Sequence, residues 1–114
     1  MYRNNCQLKQ NQRHVHEFTG SVRLAELIED PHNHRFAGVS GPAIPIGCEN
    51  HIHEICTQTD FYEDHFHFIK AKTGPAIPVG DGRHVHFVSA MTNVEEGHCH
   101  EFIVAVLIDD PIGD

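Results

Sequence analysis

Every histidine in this chain belongs to a pair spaced by one residue: His14/His16, His32/His34, His51/His53, His65/His67, His84/His86 and His98/His100. None of the 12 is left over. That spacing constrains the backbone. In a strand, residues i and i+2 share a face and stand roughly 7 Å apart. In a helix they point about 200° apart and cannot converge on one object. The flanking residues agree with strands, since Val15, Phe18, Ile52, Ile55, Phe66, Phe68, Val85, Phe87 and Val88 are β-formers. Turn signals separate them: Asp30-Pro31, Gly41-Pro42, Asp81-Gly82 and Glu96-Gly97.

The pairs belong to an internal repeat. GPAIPIG at 41–47 returns as GPAIPVG at 74–80, a shift of 33. The same shift carries His32 to His65, His51 to His84 and His65 to His98. The first pair departs, because 15 residues separate His16 from His32 and 11 separate His53 from His65. An insertion of four residues around Ser21 to Leu27 accounts for this. The chain thus reads as three copies of a unit bearing two pairs. Ankyrin and TPR arrays have similar periods, but their helical signatures are absent.

These signals predict a single all-β domain over 14–114, preceded by a polar tail at 1–13. We expect six to eight short antiparallel strands, a pseudo-threefold repeat of two-strand units, closing as a small barrel or prism. Two residues after each second histidine comes an apolar residue: Phe18, Phe36, Ile55, Ile69, Val88 and Phe102. The histidine face therefore runs into the hydrophobic face, which places the histidines at one end of the core. Each Pro-Ala-Ile-Pro segment reads as an extended crossing that packs one isoleucine, Ile44 or Ile77, into the core. The longest strand is expected at about 98–108. The strands around Phe66/Phe68 and Val85/Phe87 are apolar on both faces, so the chain or another subunit must cover them. A homo-oligomer or fibre-like assembly is expected, with the tail reaching a neighbouring subunit, and central strands within a monomer are the alternative.

The pairs suit metal binding. Neutral imidazole is a good ligand for Zn, Cu, Ni and Fe. Two pairs facing each other supply four nitrogens, and three around an axis supply six. Twelve histidines allow three four-ligand sites or two six-ligand sites, and both remain open from sequence. All 12 histidines are candidate ligands. The terminal pairs His14/His16 and His98/His100 have matching flanks and are expected to complete each other. Acidic residues before three pairs, Glu29-Asp30, Glu63-Asp64 and Glu95-Glu96, either orient a ring N–H or form solvated turns. Glu17, Glu54 and Glu101 lie opposite the histidines and read as solvent groups.

The net charge of −8 argues against nucleic-acid binding. No segment is long and apolar enough for a membrane span, and residues 1–13 are too polar for a signal peptide. A cytoplasmic or cell- or spore-surface protein is expected. Cys6, Cys48, Cys56 and Cys99 form no CxxC pair, and their redox state is open. No GxSxG, HExxH or phosphate loop appears. Repetition suits storage or a structural role over catalysis, since one active site does not need six copies of its ligand pair. Apolar residues reach only 39%, so metal binding would also supplement a thin core. A metalloenzyme with one cupin-like mononuclear site is the alternative, and a metal-free assembly module is another, with histidines serving as a pH switch or as structural groups.

The repeated His-x-His units, the duplicated Gly-Pro-Ala-Ile-Pro, the run Val79-Gly-Asp-Gly-Arg-His-Val-His-Phe87 and the closing Leu107-Ile-Asp-Asp-Pro-Ile-Gly113 resemble the YmaF family of small His-rich bacterial proteins. The resemblance covers about residues 14–113 and implies an origin in spore-forming or related bacteria, with no assigned activity. The His-x-His motif alone is also similar to that of phage tail-fibre needles, where three strands around an axis bind iron octahedrally. That likeness stops at the motif.

Overall fold

The computed structural model describes residues 14–25, 30–47 and 49–110. Among these residues there is no helix. Ten short strands pair as five antiparallel hairpins. Three hairpins are built from five-residue strands: β1 (Glu17–Ser21) with β2 (Arg35–Val39), β5 (Glu54–Gln58) with β6 (Phe68–Lys72), and β9 (Phe87–Met91) with β10 (Glu101–Ala105). Two smaller arms lie between them: β3 (Ile44–Gly47) with β4 (Asn50–Ile52), and β7 (Ile77–Gly80) with β8 (Arg83–Val85).

All six strands of the long hairpins follow one inward pattern. After the two histidines come an apolar residue, a small or half-buried one, and a buried Ser, Thr or Val eight residues from the first histidine. That last position is Val22, Ser40, Thr59, Thr73, Thr92 and Val106. Phe18, Phe36, Ile55, Ile69, Val88 and Phe102 form one core with Val22 and Val106. Cross-strand pairing matches large to small: Phe18 faces Gly38, Phe36 faces Gly20, Ile55 faces Ala71, and Phe102 faces Ala90. The fit is tight, because a Cβ on Gly38 would sit 2.8 Å from Phe18 Cζ. The buried hydroxyls bind backbone: Ser40, Thr73, Thr59 and Thr92 accept the N–H groups of His16, His53, His67 and His100 at 3.0–3.1 Å.

The three long hairpins meet edge to edge. Each junction carries two backbone hydrogen bonds: Asp60 N–H to Arg35 and Gly41 N–H to Glu54, Asn93 to Phe68 and Gly74 to Phe87, Leu107 to Glu17 and Arg23 to Glu101. These are isolated bonds rather than a ladder, so the expected closed barrel is not formed among the described residues.

Several expectations need correction. There are ten strands rather than six to eight, because both proline-containing segments pair into arms. Ile44 and Ile77 are exposed there, not packed in the core. Their prolines are tolerated because β3 and β7 each pair on one side only. The last long strand is Glu101–Ala105, no longer than its five counterparts. The four-residue insertion falls between Ala25 and His32, which bridge each other as Tyr62 and His65 do. Phe68 and Phe87 are about half exposed, so the described residues do not cover those faces. Glu17 and Glu101 are exposed and Glu54 half-buried, as their outward placement requires. The tail at 1–13 lies outside the described residues.

Candidate metal centres

Antiparallel pairing decides where the histidines go. Each histidine pair precedes one strand of a long hairpin, so the two strands of one hairpin carry their pairs at opposite ends. Pairs one, three and five converge at one end of the core: His14, His16, His51, His53, His84 and His86. Pairs two, four and six converge at the other: His32, His34, His65, His67, His98 and His100. All 12 rings are used, and in each set one ligand atom per residue lies within 4.8 Å of the others. The histidines thus occupy both ends of the core rather than one. His16 and His34 mark the two levels along β1 and β2, about 20 Å apart at strand rise. The terminal pairs His14/His16 and His98/His100 do not complete each other, because their strands enter the core from opposite ends.

The rings are aimed by a common device. The second histidine of every pair donates Nδ1–H to a backbone carbonyl across a hairpin junction. His16 donates to Leu107 (2.8 Å), His34 to Asp60 (2.9 Å) and His53 to Gly41 (2.9 Å). His67 donates to Asn93 (2.9 Å), His86 to Gly74 (2.9 Å) and His100 to Arg23 (2.8 Å). A carbonyl only accepts, so Nδ1 holds the proton and Nε2 of the neutral ring is a bare lone pair. Each accepting residue directly follows the buried Ser, Thr or Val, nine residues after a first histidine. That recurring position was visible in the sequence as a Ser/Thr/Val column, but its role depends on which hairpin edges meet.

Nε2 atoms face one another across each cluster. His14 and His84 stand 3.0 Å apart, His16 and His84 3.1 Å, His51 and His84 3.1 Å, and His53 and His14 3.2 Å. At the other end His32 and His98 stand 3.1 Å apart, His34 and His65 3.2 Å, and His67 and His98 3.3 Å. His32 and His98 also direct Nδ1 at carbonyls, those of Asp30 (2.8 Å) and Glu96 (3.5 Å). A facing pair in which both rings hold their proton at Nδ1 has no hydrogen between its two lone pairs and cannot bond. Nε2 of His86 and of His100, one per cluster, is buried without a hydrogen-bond partner among the described residues. A shared cation would satisfy these atoms together. In an octahedron, edges of 3.0–3.3 Å correspond to ion–nitrogen distances of about 2.1–2.3 Å, the range of imidazole bonds to first-row metals.

Burial favours the neutral form of nine of the rings. It pushes His14, His16, His86 and His100 down to about 4 and His51 to about 3 from the ordinary 6.5, and neighbouring rings add repulsion. His34, His53, His67 and His84 are lowered for the same first reason. Lone pairs are therefore available at neutral pH without displacing protons.

A family model described as spore germination protein GerY/YamF, the YmaF family, matches residues 11–108. The chain belongs to the YmaF family. No curated protein and no solved structure matches it.

In this YmaF chain the described acidic residues before the pairs shape turns, and Asp64 and Glu96 also place carboxylate oxygens within 4.8 Å of a His65 ring nitrogen. Asp30 and Glu96 offer backbone oxygens to the rings, and Glu63 and Glu96 take positive φ of 56° and 52°. The Asp30 carboxylate accepts from Tyr62 Oη (2.9 Å), whose ring stacks on His32 at 4.3 Å. The Glu95 carboxylate accepts from Asn93 (3.0 Å). Glu29 lies outside the described residues. The carboxylates nearest the rings are Asp109, with Oδ1 3.4 Å from His84 Nδ1, and Asp60, 3.4 Å from His34 Nδ1. Neither was singled out from sequence, because their proximity arises only from chain reversal. Cys56 and Cys99 are free thiols, and Cys6 and Cys48 lie outside the described residues.

Proposed function

We propose that this YmaF protein binds two divalent transition-metal ions, one at each end of its core, each held by six imidazole nitrogens, with a structural or storage role. All 12 histidines are ligands in this reading. The observation that carries it is the pair of buried six-histidine sets whose Nε2 atoms converge, with one orphaned nitrogen in each. A six-nitrogen octahedron suits Ni(II) or Fe(II) better than four-coordinate Zn(II) or tetragonal Cu(II). Full sets also favour binding over catalysis, because a catalytic centre keeps a position open. The three long hairpins, joined by few backbone bonds, form a prism in which the ions act as end staples. The family description points to spore germination as the setting.

Metal analysis of protein purified without a histidine-affinity column tests this. Two ions per chain are expected, with X-ray absorption showing six nitrogens at about 2.1–2.3 Å. His53→Ala and His67→Ala should each halve the metal content. One ion per chain, or four-nitrogen shells, would refute the assignment. Self-association through the outward Phe68 and Phe87 belongs to the same proposal, and a monomer at every concentration in light scattering removes it.

A further inference from the structure

Resting on that reading, we propose a further function: the clusters passivate the ion they hold, keeping a redox-active metal divalent and out of reach of peroxide. Both sets consist of neutral donors only, with no carboxylate among the twelve ligand atoms. The six second histidines lean on uncharged backbone carbonyls. Asp109 stands behind one set, and Asp60 behind the other, where Asp64 and Glu96 also place carboxylate oxygens within 4.8 Å of a His65 ring nitrogen. A divalent ion in such a site leaves a modest net charge. A trivalent ion adds a further charge to a buried cavity whose six donors are all neutral, which low polarity penalises.

The second reason is access. Ferrous iron cleaves peroxide by Fe(II) + H2O2 → Fe(III) + HO⁻ + HO•, and the fast route binds a peroxide oxygen to the metal. Six imidazoles leave no position for it. A ring would have to swing away, yet His53, His67 and His86 have no exposed surface and each is tied through Nδ1. The least buried rings are His14 in one set and His98 in the other, both only half-buried. They form the solvent-side vertex of each cluster, so removing one opens that octahedron to water and little else.

The test loads the full chain with ferrous iron under anaerobic conditions, measures metal content, then follows peroxide consumption and iron oxidation state by Mössbauer spectroscopy. The wild type should consume peroxide at least about tenfold more slowly than His98→Ala per bound iron, with its iron still ferrous after exposure to air. His98→Ala should render about half of its iron reactive, since the opposite cluster stays closed. Free imidazole, refilling the vertex, should slow it again. His14→Ala asks the same of the other end if His98→Ala fails to fold, and aqueous ferrous iron is the reference for the wild type in either case. The proposal is overturned if metal-loaded wild type consumes peroxide as fast as the opened variants or as aqueous iron, or if its iron oxidises in air with two ions still bound. Protein that retains no iron overturns the binding reading as well, and the metal analysis distinguishes the two failures.

Discussion

Stripping the ions at neutral pH should destabilise the fold by an amount the structure sets from below. His86 Nε2 and His100 Nε2 are buried and have no hydrogen-bond partner among the described residues. Each unsatisfied buried polar atom costs about 1–3 kcal/mol, so the two together cost about 2–6 kcal/mol once the ions are gone. The remaining facing nitrogens, at 3.0–3.3 Å, add to this unless water enters. For a domain near 100 residues, 1 kcal/mol moves the melting temperature by about 4–8 °C, so a fall of at least ~8 °C is expected. Circular dichroism melts before EDTA, after EDTA, and after returning the metal measure it, with metal analysis of each sample. The double variant His86→Ala, His100→Ala should show a smaller EDTA effect, since the orphaned nitrogens no longer exist. If ion-free protein melts within a degree or two of the loaded form, the clusters are not metal-stabilised and the reasoning fails.

Ending the chain after Val106 removes the Leu107 carbonyl that orients His16 and the Asp109 carboxylate that caps His84, both serving the same cluster. That truncation should lose one ion of two, and metal analysis reads it. The pH dependence of the ion-free protein has a fixed sign. Burial brings His14, His51 and His100 to about 3–4 in the fold against 6.5 in the unfolded chain, so the unfolded state takes up protons first. Their contribution is complete above pH 6.5 and is lost as the pH falls towards 4; denaturant midpoints that rise on acidification would contradict it. Gly38→Ala places a methyl 2.8 Å from Phe18 Cζ in a closed core, and overpacking of that kind should cost about 1–3 kcal/mol in urea unfolding while leaving two ions bound.

The His-x-His spacing alone dictated strands, because only an extended backbone points both rings the same way. The apolar residue two positions on likewise revealed Phe18, Phe36, Ile55, Ile69, Val88 and Phe102 as core. The repeat exposed three two-strand units. It did not reveal that Ile44 and Ile77 stay outside, since a proline-flanked isoleucine looks the same in a crossing or an exposed arm. It also left the division into three sets of four or two sets of six undecided. Local spacing says which side chains share a face, and that much is written in the chain. Which pairs meet depends on antiparallel reversal in each hairpin, which sends alternate pairs to opposite ends, and on edge contacts that bring Leu107 to His16 and Arg23 to His100. Those are contacts between residues far apart in sequence, and only packing three hairpins around one core fixes them.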